Sequence, residues 1–197
     1  MNTRYAAAAA LPLAAILALA GCSAGSGSMP GMDHGAAPMS SATTAASASE
    51  ADIMFVTMMI PHHEQAIEMS DTLLSKSGVD ERVTALAEKI KAAQQPEIDT
   101  MKGWLSDWGV SMSEGMSGMD HGGMMSESDM QALESADGGD AARLYLEQMI
   151  EHHQGAIDRA KEEIDGGTDA EVVSLAQSIV DSQTAEISTM KDLMGSL

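Results

Sequence analysis

Two stretches of this chain carry the same residue pattern about 90 positions apart, and a pattern repeated at that distance restricts the fold to two copies of one supersecondary unit. His62-His63 in MMIPHHEQAIEM recurs as His152-His153 in QMIEHHQGAID, and Gln94-Glu97-Ile98-Met101 recurs as Gln183-Glu186-Ile187-Met190. In the first copy Val56, Ile60, His63, Ile67, Ser70 and Leu74 keep helical spacing. After a break at Gly78, so do Val83, Leu86, Ile90, Gln94, Glu97, Met101 and Leu105. In the second copy Ile150, His153, Ile157, Ala160 and Ile164 form one stripe, and Val172, Leu175, Ile179, Gln183, Glu186, Met190 and Leu193 form the next. Gly166-Gly167 ends the earlier of these helices, and Thr168 with Glu171 is expected to cap the later one as a capping box. Each copy is therefore a helical hairpin. Two amphipathic hairpins bury their apolar faces against each other, which predicts an all-α, antiparallel four-helix bundle. Between them lies a Met-rich loop over 109–126, followed by a short helix opened by Ser126 and Asp129.

The flanking sequence is of a different kind. Residues 1–22 read as a bacterial lipoprotein signal: Arg4, an apolar Ala/Leu run too short to span a membrane, then Leu19-Ala20-Gly21-Cys22. Cleavage at this lipobox leaves Cys22, the sole cysteine, as a lipidated N-terminus. The expected location is extracytoplasmic, at the cell surface or in the periplasm, with the membrane as a partner through Cys22. Residues 23–49 are Ser, Ala, Gly, Thr and Met with almost no large apolar residue, the composition of a disordered tether. The folded domain is expected over 50–197. A net charge of -20 excludes nucleic acid as a partner, because phosphate binding needs a basic surface.

All six histidines and many of the 18 methionines fall in repeated motifs. Adjacent helical residues point about 100° apart, so one histidine of each pair faces the bundle axis while its neighbour reaches a groove between helices. Met59 and Met149 stand one turn before the pairs. Glu97 and Glu186 interrupt apolar stripes, and a buried carboxylate needs a partner, which a facing histidine or a shared metal supplies. Pro61 and Pro96 lie inside helical patterns of the first copy alone and are expected to kink it. GMDHG occurs at 31–35 and again at 118–122, with further methionines nearby. Thioether and imidazole donors suit Cu(I) and Ag(I), not hard cations. Met32, His34, Met119, His121, Met124 and Met125 are accordingly read as metal-capturing residues in flexible segments, where no core requires a thioether.

The combination MIPHHEQAIEM, AQQPEIDTMKGWL, MIEHHQGAID and QTAEISTMK resembles the DUF305 family, over about residues 50–197. That resemblance implies a ferritin-like four-helix bundle, secreted or lipid-anchored, with copper bound through His and Met and a link to copper tolerance. By position it implies His62, His63, His152, His153, Met59, Met149, Met101 and Met190 as ligands, to which the reading of the buried carboxylates adds Glu97 and Glu186 as metal-site residues. The chain departs from symmetry at Glu151, which stands where the first motif has Pro61, and at Arg159, which stands in the place of Met69. The function expected is sequestration of copper, as Cu(I) and also Cu(II) or Ag(I), without catalysis. A cuprous oxidase and a purely structural or interaction bundle are the alternatives. A di-iron oxidase is disfavoured, because the residues three before the histidines are Met59, Ile60, Met149 and Ile150 where Glu-x-x-His is required. The sequence identifies no copper chaperone or efflux partner.

Overall fold

The computed structural model describes residues 48–112 and 122–197. These contain five helices: α1 (Glu50–Leu74), α2 (Glu81–Trp108), a short α3 (Glu127–Ser135), α4 (Gly138–Gly166) and α5 (Ala170–Met194). The described residues contain no strand. The expectations for Cys22, for Met32 and His34 in the tether, and for Met119 and His121 fall outside the described residues.

The helices start and stop where side chains satisfy their terminal backbone groups. Ser49 caps α1 in a reciprocal capping box with Asp52. Ser126 does the same for α3 with Asp129, the opening that the sequence predicts. Asp80 caps α2, after a turn in which Gly78 takes a left-handed φ of 76°. The start of α5 differs from expectation. Asp169, not Thr168, is its N-cap, accepting from the backbone N–H groups of Glu171 and Val172. Thr168 is drawn away because its own N–H and hydroxyl both donate to Asp52, at 3.0 and 3.1 Å. Both prolines lie inside unbroken helices, Pro61 in α1 and Pro96 in α2.

The two hairpins, α1–α2 and α4–α5, meet through α1 and α4. These two run antiparallel: Met58 pairs with Arg159, His62 with His152 and Ser70 with Tyr145 along their length. The core divides into two apolar clusters along that axis. One gathers Phe55, Val56, Met59 and Ile60 with Ile98, Met101, Ala160 and Ile179. The other gathers Met69, Leu73, Leu86, Ile90, Tyr145, Leu146, Met149 and Met190, with Leu133 and Met125. The histidine pairs lie between them. The buried stripe is turned slightly from the sequence reading: Leu73 is buried while Leu74 is half-buried, and Met149 is buried while Ile150 is half-buried. Contact between α1 and α4 adds a second buried face to each helix, which a single stripe does not describe.

One end of the bundle is held by Asp52. This fully buried carboxylate accepts from the N–H and hydroxyl of Ser49 and from Thr168 and the Asp169 N–H, joining the start of α1 to the α4–α5 turn. Burial pushes its carboxyl up, but the hydrogen bonds from Ser49 and Asp169 outweigh that and hold it well below the usual carboxylate range. The neighbouring Glu163 moves the other way. Burial, together with the neighbouring charges of Asp52 and Asp169, raises its carboxyl from 4.5 to about 8, so near neutral pH it keeps its proton.

Asp52→Ala would leave several donors of this end without their acceptor. The expected loss is about 2–4 kcal/mol in urea unfolding. For Glu163, the folded chain retains between pH 4.5 and about 8 a proton that the unfolded chain releases, so its contribution to stability falls as pH rises through that window. Glu163→Gln should therefore lose less thermal stability than the unaltered protein between about pH 5 and about pH 9; equal losses would contradict the retained proton.

Candidate metal centre

The middle of the bundle is a layer of buried polar side chains. His62 is 2% exposed, His63, His152 and His153 are fully buried, and Gln94 and Gln183 are at most 3% exposed. The helical 100° step separates the members of each pair as anticipated. His62 and His152 meet in the α1–α4 interface with ring centroids 3.7 Å apart and planes tilted by 43°. His63 and His153 turn instead toward the second helix of their own hairpins. There His63 Nε2 lies 2.7 Å from Glu97 Oε2, and His153 Nε2 lies 2.9 Å from Glu186 Oε2.

This contact determines what the imidazoles offer. An ionised carboxylate only accepts, so Nε2 donates and carries the proton, and Nδ1 is left with a lone pair. Both Nδ1 atoms are buried without a hydrogen-bond partner, as are both ring nitrogens of His62 and of His152 and both amide atoms of Gln94. Each such atom forfeits about 1–3 kcal/mol of lost hydration, and a concentration of them in one layer calls for a ligand that uses them. A histidine that donates one N–H to a carboxylate and presents the other nitrogen has the arrangement of a metal ligand held by its second shell. Glu97 and Glu186, which the sequence places among the ligands, are thus engaged in orienting imidazole. Their settings differ: the Glu97 side chain is 22% exposed and that of Glu186 is 8% exposed, with Lys89 Nζ at 3.9 Å from the latter.

Thioethers border the layer. Met59 and Met101 are fully buried in the first apolar cluster, and Met149 and Met190 are fully buried in the second. Each stands one turn from the His or Glu of its own helix. The two halves part at the next position, where Met69 is fully buried and Arg159 instead donates to Met58 Sδ at 3.5 Å. Among the described residues no group of three or more His, Asp and Glu side chains is arranged to hold a metal ion. The donors that line and border the layer are imidazole nitrogen and thioether sulfur, which suit a soft, low-coordinate ion.

One loop methionine departs from expectation. Met125 is 8% exposed and belongs to the second apolar cluster, so it is not the free side chain predicted. Sequence reasoning also missed Gln65. Its amide donates to the Met125 carbonyl at 2.9 Å and accepts from the Met125 N–H at 2.7 Å. Nothing in helical periodicity marks a half-exposed glutamine as the anchor of a distant loop.

Burial, followed by the positive charge that neighbouring histidines would carry, lowers the His62 pKa from 6.5 to about 3. His152 falls well below the ordinary value for the same reasons, and His153 falls despite its bond to Glu186. A base with a lowered folded pKa costs stability as pH drops below its unfolded value, because the unfolded chain takes the proton first. Between pH 6.5 and about 4 the metal-free protein should lose on the order of 1 kcal/mol per pH unit for each such histidine. His62→Leu should flatten that acid limb in thermal unfolding; an unchanged slope would contradict a neutral, buried ring.

The fold is similar to that of a DUF305 fragment from Deinococcus radiodurans, at 32% identity and a TM-score of 0.69, over 76% of this chain and 99% of that one. It is similar also to a DUF305 protein from Streptomyces coelicolor assigned as secreted, at 35% identity and a TM-score of 0.69, over 74% of this chain and 93% of that one. CopM in its Cu(II)-bound form is 32% identical with a TM-score of 0.63, over 74% of this chain and 96% of that one, and CopM structures with Cu(I) and with Ag show the same likeness. No curated protein matches the chain at a significant level. The family model for DUF305, a domain of unknown function, covers residues 52–194, and the chain belongs to the DUF305 family.

Proposed function

We propose that this protein sequesters copper outside the cytoplasm, holding Cu(I) in the mid-bundle layer and contributing to copper tolerance without catalysing a reaction. The observation that carries this reading is the set of buried, unpartnered imidazole nitrogens on His62, His63, His152 and His153, with His63 and His153 oriented by carboxylates. Imidazole from these four and thioether sulfur from Met59, Met101, Met149 and Met190 form the donor set, which suits Cu(I) and Ag(I). Glu97 and Glu186 act by fixing the tautomer and direction of His63 and His153. The likeness to CopM, solved with Cu(II), Cu(I) and Ag at 31–32% identity, supports copper as the ion.

Capture and retention occupy different parts of the chain in this proposal. Met32, His34, Met119, His121 and Met124 first bind the ion, and the bundle retains it. The extracytoplasmic location rests on the Leu19-Ala20-Gly21-Cys22 lipobox and agrees with the secreted assignment of the Streptomyces coelicolor relative. Among the described residues no helix is long and apolar enough to cross a membrane. Attachment in this reading is through lipid on Cys22, on the strength of the same lipobox.

The test is retention of Cu(I) against a chromophoric Cu(I) chelator under anaerobic conditions. The full-length protein should retain at least one equivalent. Glu97→Gln with Glu186→Gln keeps the shape of the layer and should weaken retention by about 10–100-fold. His62→Ala with His152→Ala should abolish retention in the bundle while circular dichroism shows the helices intact. A protein that yields all its copper to the chelator, or variants that retain it equally, would overturn the proposal. Oxygen uptake on adding Cu(I) would favour a cuprous oxidase instead.

A further inference from the structure

The segment between the Met-rich loop and α3 crosses the bundle at the level of the histidine layer. At one side Gly123, with φ of 86°, lies against Gly155 of α4 so closely that a Cβ on Gly155 would stand 2.4 Å from Gly123 Cα and 2.9 Å from the Gly122 carbonyl oxygen. At the other side Met125 is held to α1 by the two-way hydrogen bond with Gln65, and its side chain is buried in the core. Gly155 stands one turn after His152 and Gln65 one turn after His62, so each anchor shares a helix face with the histidine of the α1–α4 interface. Because α1 and α4 are antiparallel, these anchors lie on opposite sides of the His62–His152 level. Chain passing from Gly123 to Met125 must therefore cross the groove above that pair.

We infer that Gly122–Ser126 is a strap closing the α1–α4 groove over His62 and His152, and that it sets the rate at which water and metal ions reach them. Gly155 and Gln65 are its positioning residues. The glycine contact explains why the strap lies flat, since any side chain at 123 or 155 would lift it. The Gln65 amide replaces the water that would otherwise satisfy the Met125 backbone. The complete burial of imidazole nitrogens that have no partner within the protein is the state such a cover would produce. The inference deepens the copper reading above, as to access to the same site, but its geometry stands without a bound ion.

The deciding experiment uses the metal-free full chain, with the rate of diethylpyrocarbonate modification resolved for each histidine by mass spectrometry. Gly155→Ala introduces the clash while placing the better helix former in α4, so the fold is retained. Gln65→Leu removes both bonds of the clamp, and Gln65→Glu removes only the one that the amide donates. Modification of His62 and His152 should accelerate on the order of tenfold or more in Gln65→Leu, the factor expected for losing the two clamp bonds, less in Gln65→Glu, and also in Gly155→Ala, where the clash lifts the strap. His63 and His153, facing α2 and α5, should change little. Amide exchange at Met125 reports release of the strap directly. Faster exchange at Met125 with no change at His62 and His152 would overturn the inference, as would wild-type histidines reacting at the rate of the unfolded chain. On copper-loaded protein, the same variants should transfer Cu(I) to a chelator faster than the wild type. If the chain binds no copper, that arm fails while the metal-free histidine rates still decide the strap.

Discussion

The hydrogen bonds from His63 to Glu97 and from His153 to Glu186 are the interactions on which the middle of this bundle depends. Four histidines, two glutamines and two glutamates placed between apolar clusters would be costly in any fold that left them to themselves. Each His–Glu pair ties the two helices of its own hairpin, so the polar residues set the register of α1 against α2 and of α4 against α5. The remaining pair, His62 and His152, then meets where the hairpins meet. A layer that might have been a defect in the core becomes the one place where both halves contribute equivalent donors.

Duplication supplies the equivalence, and later divergence limits it. The second half buries its carboxylate more deeply, with Lys89 of the first half nearby. Where the first half has Met69 in the core, the second has Arg159 turned toward Met58 at the groove. The second of these differences sets a charge beside the end of the bundle that holds Asp52 and Glu163. The ends are thus polar and tightly bonded, the two clusters inside them apolar, and the centre polar again. That alternation confines soft donors to positions one turn from the imidazoles.

Much of this was legible in the chain itself, for a physical reason. Helical periodicity records which residues must leave water, so the duplicated stripes reveal α1, α2, α4 and α5, and the Ser126–Asp129 capping box reveals α3. A carboxylate amid apolar residues must find a partner, which is why the sequence alone marks Glu97 and Glu186 as residues that need one. The errors came from forces that act between elements. Thr168 looks like a helix cap until Asp52, distant in sequence, takes its hydroxyl. Met125 looks like a free loop thioether until Gln65 anchors its backbone and the core takes its side chain.

The sequence by itself determined the number and polarity of the helices and the identity of the side chains that must be buried together, because local spacing and burial are properties of each segment. Only the tertiary structure decided which nitrogen each histidine presents, which pair lies in the α1–α4 interface, and which backbone crosses above it. Those outcomes depend on contacts between residues far apart in the chain, and on close approaches such as Gly123 to Gly155 that no periodicity records.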